Sequence, residues 1–188
     1  HDDILTAIRL SEEFGYRVVL QHVSEAWRVA DEIANSDIVG SSIIQIDSPG
    51  GKLEAINLEN INGKALEDAD ALVAYHTDDP IVDSRFFLRS AALGVSEGMS
   101  REKALEAITI AGAKLLDIDH RVGSLEPGKD ADFIILDGDP FSVYTHIQQT
   151  WIDGEKAWDR SDPEDGVYAT GGYDIFRHNA THVHDIHE

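Results

Sequence analysis

Short apolar runs alternate with amphipathic segments along the first 120 residues of the chain. The runs are rich in Val, Ile and Leu, as buried strands are, and they lie at residues 17–21, 38–44 and 72–76. The amphipathic segments repeat apolar residues three and four positions apart, which predicts helices at 2–14, 26–33, 58–66, 85–97 and 100–116. Strands that alternate with helices at this spacing predict an α/β fold, with βα units around a parallel sheet.

The pattern changes after Gly123. A turn is predicted at 126–129, where Pro and Gly are adjacent, and a short strand is predicted at 133–136. Two further runs, 146–152 and 156–158, flank an Asp-Gly dipeptide, which strongly indicates a tight hairpin. These signals predict a small antiparallel sheet that follows the parallel one.

The last part of the chain lacks such periodicity. Beyond Ser161 the sequence is rich in Asp, Gly and His, which is typical of an irregular tail. We therefore expect three parts: a main α/β part at 1–120, antiparallel strands at 121–160 and a tail at 161–188.

Composition narrows the class of protein. Of the 188 residues 42% are apolar, which is enough to bury a core, and no stretch approaches the length of a membrane span or resembles a signal peptide. We expect a soluble, cytoplasmic protein. The chain contains no Cys, which excludes disulfides, thiolate ligands and a Cys nucleophile. Any metal would therefore be bound by His, Asp and Glu.

The chain is strongly acidic. Its 36 Asp and Glu residues against 15 Lys and Arg give a formal net charge of −21. This charge repels nucleic acid phosphates and anionic membrane surfaces, so neither is an expected partner. Self-repulsion of this size is screened by salt, which suggests a halophilic protein from a salt-rich cytoplasm. The alternative is an ordinary acidic protein.

Two polar side chains follow predicted strands. His22 follows the run at 17–21, and Asp78 follows the run at 72–76. The carboxyl ends of parallel strands face a shared cleft, where α/β proteins bind metals and substrates. One imidazole and one carboxylate would make half of a divalent-metal site. The alternatives are a hydrogen-bonded core histidine at 22 and a helix cap or turn residue at 78.

Other histidines carry weaker signals. His76 alternates onto the same strand face as Asp78, so it is either a residue that supports the ligands or a neutral core histidine. His182 and His184, with Val183 between them, resemble a metal-binding pair, but a polar tail that also contains His178 and His187 explains them equally well.

Four segments in order carry a resemblance to a known family. They are Val-Leu-Gln-His at 19–22, Tyr-His-Thr-Asp-Asp-Pro at 75–80, Ala-Ile-Thr-Ile-Ala-Gly-Ala-Lys-Leu-Leu at 107–116 and Gly-Ser-Leu-Glu-Pro-Gly-Lys-Asp-Ala-Asp at 123–132. This succession, followed by a Trp-Ile-Asp-Gly hairpin, resembles the C-terminal half of the amidohydrolase superfamily, and especially its imidazolonepropionase-like branch. The likeness covers about residues 1 to 160.

The resemblance implies a fold and a metal site. Members of the superfamily are distorted TIM-like (β/α)₈ barrels with a small β-sandwich built from both chain ends, and they bind one or two divalent ions at the barrel mouth. His22 would end the sixth barrel strand and Asp78 the eighth, so residues 1–120 would be the last part of a barrel and 121–158 the returning sandwich strands. Asp79 and the loop from Asp47 to Lys52 would line the substrate side.

The resemblance also implies missing parts. The family places a His-x-His pair after the first barrel strand and a ligand after the fifth, whereas this chain opens with His1 on what resembles the helix after the fifth strand. His1 would lie just past that ligand or, as the weaker alternative, be it. We therefore expect a fragment of a larger enzyme, with little or no turnover when isolated.

The chemistry that the family implies is hydrolysis of a C–N bond by metal-activated water. The ion, most simply Zn²⁺, would be bound by Asp78, which would accept the proton of the attacking water and pass it to the leaving nitrogen. His22 would either bind a second ion or hydrogen-bond the developing oxyanion. The substrate would be a small cyclic or acyclic amide.

Two other functions stay open. The chain could be a deaminase of the same superfamily. It could also be a non-catalytic structural or regulatory remnant, because a half barrel leaves strand edges that another copy or a companion N-terminal half would cover.

Overall fold

A computed structural model describes residues 1–36, 40–44, 53–79 and 81–170, with the side chains of 40–44, 54 and 170 left aside. The first part contains α1 (Asp2–Phe14), β1 (Val19–Gln21), α2 (Ala30–Ala34), β2 (Gly40–Ile44), α3 (Asn62–Asp68), β3 (Val73–His76), α4 (Phe87–Ser96), α5 (Arg101–Ala107) and α6 (Ile110–Leu115). The second contains β4 (Phe133–Leu136), β5 (Ile147–Ile152), β6 (Glu155–Asp159) and α7 (Pro163–Thr170). Single 3₁₀ turns lie at Ala26–Arg28, Leu53–Ala55 and Ser84–Phe86.

The first three strands form a parallel sheet in the order β1-β2-β3. Gln21 pairs with Ser42, and Ser42 pairs with Ala74. Because all three strands run in the same direction, the carboxyl ends of β1 and β3 lie at the same edge of the sheet, on either side of β2. The predicted α/β class with a parallel sheet is confirmed.

Both faces of this sheet are covered by helices. Leu20, Val73 and Tyr75 are buried on one face, within a core formed with α1 to α5. Ala74 lies on the other face, where it packs with Ala111 and Leu115 at the two ends of α6. Burial on both faces explains why β3 reads as a continuous apolar run rather than as an alternating one.

The second sheet is antiparallel, in the order β4-β5-β6. Its hairpin turns at Asp153 and Gly154, whose φ angles of 52° and 77° are those of a type I′ turn, as the Asp-Gly signal predicted. Across β4 and β5 the ring of Phe133 stacks on that of Trp151 at 5.5 Å between centroids. This stacked pair stabilises the register of the two strands.

The segment around Phe141 contacts the parallel-sheet part. The ring of Phe141 packs against the core of the parallel-sheet part. The guanidinium of Arg101, at the start of α5, lies 4.8 Å from the centroid of that ring and donates to Asp139 at 2.7 Å. The segment after β4 is therefore held on α5.

Two predicted helices are each broken into two. The helix expected at 26–33 is a 3₁₀ turn followed by the short α2, since Val29 leaves helical geometry at φ −135°. The helix expected at 100–116 is divided between α5 and α6 at Thr109, whose φ and ψ are −134° and −101°. The Thr109 hydroxyl donates to the carbonyl of Leu105 at 2.7 Å, a local bond that competes with the helix. The apolar spacing continues across both breaks, so this pattern does not predict them.

The expectation of an irregular tail at 161–188 is wrong for its first part, where α7 forms. The Asp162 carboxylate accepts from the amide of Glu164 at 2.8 Å, and Pro163 occupies the first turn, where its missing N–H costs nothing. The indole of Trp158 donates to the carbonyl of Asp165 at 2.9 Å and attaches the helix to β6. Within the residues described, no helix is long and apolar enough to span a bilayer.

Candidate active site

The side chains of His22 and Asp78 lie next to each other at the carboxyl edge of the parallel sheet. His22 directly follows β1, and Asp78 lies two residues beyond β3. The Nδ1 atom of His22 is 3.6 Å from Oδ2 of Asp78, and each side chain is 47% exposed. The two groups that the sequence placed at separate strand ends therefore converge on one site that solvent can reach.

Both residues adopt left-handed backbone conformations, with φ 56° at His22 and 50° at Asp78. The chain turns sharply after each: the amide of Ser24 donates to the carbonyl of His22, and that of Ile81 donates to the carbonyl of Asp78, both at 2.8 Å. Asp78 is thus a turn residue by its backbone, as one alternative held, while its side chain faces His22. Non-glycine residues in this region are uncommon, and strained positions of this kind cluster at functional sites.

His76 is the last residue of β3, and its ring packs against the ring of His22. Its ring meets that of His22 edge to face, with centroids 4.5 Å apart and planes at 86°. Its Nε2 atom is buried and has no hydrogen-bond partner among the described residues. Burial lowers the pKa of His76, the nearby His22 lowers it further, and Asp78 partly opposes both effects. The lowered pKa favours the neutral form of His76, whose ring packs edge to face against that of His22.

The distance between the two side chains suits a shared cation. Two ligands about 2.1 Å from a tetrahedral zinc ion lie about 3.4 Å apart, close to the observed separation and longer than a good hydrogen bond. The donors are an imidazole nitrogen and a carboxylate oxygen, both common zinc ligands. No group of three His, Asp or Glu side chains that could hold an ion is present in the described part of the chain. The pair could therefore supply two ligands to an ion, and the described residues do not complete a coordination sphere.

Asp79 has a structural contact of its own. Its Oδ2 accepts from the amide of Ser84 at 3.0 Å and from the Ser84 hydroxyl at 2.6 Å, so it ties down the loop after β3. Its predicted contact with substrate stays a prediction. The other predicted substrate residues, Asp47 and Lys52, lie outside the described residues, as do the histidines at 178, 182, 184 and 187.

Asn62 is a site-related residue that the sequence reasoning missed. It is 1% exposed, and its side-chain amide bonds to three backbone groups of the loop and 3₁₀ turn that follow His22. Its Nδ2 donates to the carbonyls of Val23 at 3.3 Å and Ser24 at 2.9 Å, and its Oδ1 accepts from the amide of Trp27 at 2.8 Å. The only sequence signal was the Asn-Gly pair at 62–63, which usually marks a turn.

Comparison with known proteins identifies the class. Residues 54–158, more than half of the chain, match the model of the Amidohydrolase family, so the chain belongs to this family and the predicted resemblance is confirmed. A solved amidohydrolase from Thermotoga maritima MSB8 is 34% identical, superposes with a TM-score of 0.79, and is matched over 85% of this chain and 41% of that one.

Two curated relatives show the kinds of protein to which this chain is similar. Amidohydrolase tasK of Hapsidospora irregularis is 29% identical over 161 residues, which are 84% of this chain and 16% of that protein. The imidazolonepropionase of Picrophilus torridus is 42% identical over 67 residues, 32% of this chain and 17% of that protein. The chain thus spans less than half of the length of each of these relatives.

Proposed function

We propose that this chain is part of a metal-dependent hydrolase that cleaves a non-peptide C–N bond, cyclic or acyclic, in a small amide. The observation that carries the proposal is the 3.6 Å approach of His22 Nδ1 to Asp78 Oδ2 at one edge of a parallel sheet. Membership of the amidohydrolase family supports the reaction class. The name of the imidazolonepropionase relative supports a cyclic amide as one candidate substrate.

We propose a barrel fold for the enzyme together with this chemistry. We take β1, β2 and β3 as the last three strands of a TIM-like (β/α)₈ barrel, and β4 to β6 as part of a small β-sandwich. The parallel order β1-β2-β3 and the superposition on the Thermotoga maritima amidohydrolase support this arrangement. In such barrels the active site lies at the carboxyl ends of the strands, where His22 and Asp78 are.

His22 and Asp78 are the residues that would hold the divalent ion, zinc in the simplest case. A bound ion would supply Lewis acidity and lower the pKa of a water. The Asp78 carboxylate would accept the proton of the attacking water and later give it to the leaving nitrogen. His22 would serve as a ligand or as a hydrogen-bond donor to the oxygen that gains negative charge. The neutral ring of His76 would keep His22 in its orientation.

The alternative is a non-catalytic remnant. β1 and β3 are the outer strands of the parallel sheet and could pair with a second copy or a companion segment, which gives a role that needs no metal. Metal binding distinguishes the two proposals, whereas the release of ammonia from purines or pyrimidines, instead of amide cleavage, would indicate a deaminase.

The test is a Co²⁺ titration of the 188-residue chain, followed by visible absorption and by metal analysis at dialysis equilibrium. We expect saturable one-to-one binding that is weaker than at a site with all its ligands, and His22→Asn and Asp78→Asn should each lower the affinity at least tenfold further. Asn tolerates the left-handed backbone at both positions, so the fold should persist. The matched control is Asp153→Asn, the same change at a similar φ in the antiparallel hairpin, which should bind as the parent does. Absence of binding, or equal binding by all four proteins, would refute the proposal.

A further inference from the structure

We propose that the first turn of α3, formed by Asn62 and Gly63, sets the distance between His22 and Asp78. This inference rests on the proposed function, because it assigns to two adjacent residues the positioning of the metal-binding pair. Neither residue contacts a reacting atom. Each contacts a segment that carries one member of the pair, and the two segments belong to strands that are not neighbours in the sheet.

Asn62 holds the segment that carries His22. Its side-chain amide donates to the carbonyls of Val23 and Ser24 and accepts from the amide of Trp27. These backbone groups lie in a loop and in the single 3₁₀ turn that follows it, and the Val23 carbonyl also accepts from the amide of Ala26. A buried amide that satisfies three such groups fixes the loop more firmly than a single contact could. The loop begins one residue after His22.

Gly63 packs against a side chain of β3, the strand that leads to Asp78. A Cβ at Gly63 would lie far inside van der Waals contact with the hydroxyl of Tyr75 and 3.0 Å from Sδ of Met99. Tyr75 is 4% exposed and precedes His76 directly. The absence of a side chain at 63 thus lets α3 pack directly against the end of the Tyr75 side chain, which extends from β3 three residues before Asp78.

One helical turn therefore contacts both halves of the site. β2 separates β1 from β3, so the two strands lie about 10 Å apart. The sheet relates them only through the ladders of β2. Asn62 and Gly63 relate them through consecutive residues of one helix, in which the two backbone positions cannot move independently. A shift of this turn would move the His22 loop relative to β3 and change the separation of the two ligands.

The test compares metal affinity with stability in matched variants of the 188-residue chain. Asn62→Ala removes the clamp on the loop, and we expect Co²⁺ affinity to fall about ten- to hundredfold, with a changed absorption spectrum. Gly63→Ala displaces Tyr75 and should weaken affinity as well. The double variant Gly63→Ala/Tyr75→Phe, in which the obstructing hydroxyl is gone, should recover most of the loss.

The control is Leu66→Ala, one turn further along α3. Leu66 is 0% exposed and belongs to the same core cluster as Val23 and Ala26, so its truncation lowers thermal stability but leaves the three hydrogen bonds of Asn62 in place. We expect Leu66→Ala to bind Co²⁺ as the parent does at a temperature where both are folded. Equal weakening by Leu66→Ala and Asn62→Ala would show a general effect of stability and would overturn the proposal, as would parental affinity in Asn62→Ala.

A second measurement needs no metal. In the metal-free chain, Asn62→Ala should shift the Cε1–H resonance of His22 and speed the hydrogen exchange of the Trp27 amide, while the resonance of His146, in the antiparallel sheet, stays in place. An unchanged His22 resonance would overturn the positioning role. A parent that binds no Co²⁺ but shows these shifts would refute the proposed function while supporting the positioning of His22 by α3.

Discussion

The hydroxyl of Tyr75 fills the space that a side chain at position 94 would need, so Gly94 and Tyr75 are complementary in shape. A Cβ at Gly94 would lie far inside contact distance of that hydroxyl. The hydroxyl also lies 3.6 Å from Sδ of Met99 in the core. The close packing of α4 on β3 depends on this pair.

Gly94→Ala should therefore destabilise the protein. In an unobstructed helix the same change stabilises by up to about 1 kcal/mol, because glycine is a poor helix former. Here overpacking dominates, and we expect a loss of about 1–3 kcal/mol in the free energy of unfolding. Urea denaturation measures it.

A glycine in α6 provides a control for the direction of this change in stability. Gly112 has no atom within 4 Å of its added Cβ, so Gly112→Ala should leave stability unchanged or raise it. Tyr75→Phe should also recover part of the loss when combined with Gly94→Ala. Destabilisation by both alanine variants alike would show that steric conflict at Tyr75 is not the cause.

Arg17 should act on stability and leave metal binding unchanged. It donates to the carboxylate of Asp117 and, at 2.6 Å, to the carbonyl of Leu115, so it caps the end of α6. Its side chain is 36% exposed, so we expect Arg17→Ala to cost about 1 kcal/mol, and Arg17→Lys to recover little because lysine lacks the forked guanidinium. Thermal denaturation measures the cost.

Co²⁺ affinity should be parental in Arg17→Ala, since Arg17 lies at the amino end of β1, opposite the site. The matched control is Arg9→Ala. Arg9 forms an exposed pair with Glu13 on α1, and its loss should change stability by less than about 0.5 kcal/mol. A weaker metal affinity in Arg17→Ala would mean that the two ends of the sheet are coupled.

The contact between Asp139 and Arg101 should contribute to stability in a pH-dependent manner. The side-chain bond from Arg101, and then the backbone bond from Phe141, lower the pKa of Asp139 below its ordinary value of 3.8. A carboxyl with a lowered folded-state pKa stabilises the fold above pH 3.8, and this contribution is lost as the pH falls through the folded-state pKa. The difference in melting temperature between the parent and Asp139→Asn should be constant from pH 7 to about pH 5 and shrink below pH 3.8. A constant difference down to pH 3 would contradict this linkage.

Salt should stabilise the protein. The net charge of −21 produces self-repulsion, and raising KCl from 0.01 M to 1 M shortens the Debye length from about 30 Å to about 3 Å. The same salt weakens exposed ion pairs, but each of these contributes only about 0–1 kcal/mol. We expect a higher melting temperature in molar KCl, and little dependence on KCl at the isoelectric point. A melting temperature that falls or stays constant at pH 7 would favour an ordinary acidic protein over a halophilic one.

Local chemistry explains how much of the fold was predictable. Runs of Val, Ile and Leu located the strands, and Gly15, at φ 67°, ends α1 where a left-handed residue was expected. The Asp-Gly pair located the β5–β6 turn. These features depend on residues near in sequence.

Tertiary contacts explain what was not predictable. At the break the Thr109 hydroxyl bonds back to Leu105, and apolar spacing does not encode this bond. Asn62 contributes to the site through hydrogen bonds to backbone groups that are 35 to 39 residues away in the sequence. His22 and Asp78 were predicted to converge because parallel strands end together, and they do; their role as ligands stays a prediction.

The left-handed backbone at His22 and Asp78 also restricts how the site could be redesigned. Glutamate and cysteine bind metals well, yet both fit poorly at these two angles, whereas histidine, aspartate and asparagine tolerate them. At either position, the backbone angles would therefore exclude many replacement residues, whatever their ability to bind a metal. An engineer who wished to change the preferred ion would do better to alter the neighbours of the pair than the pair itself.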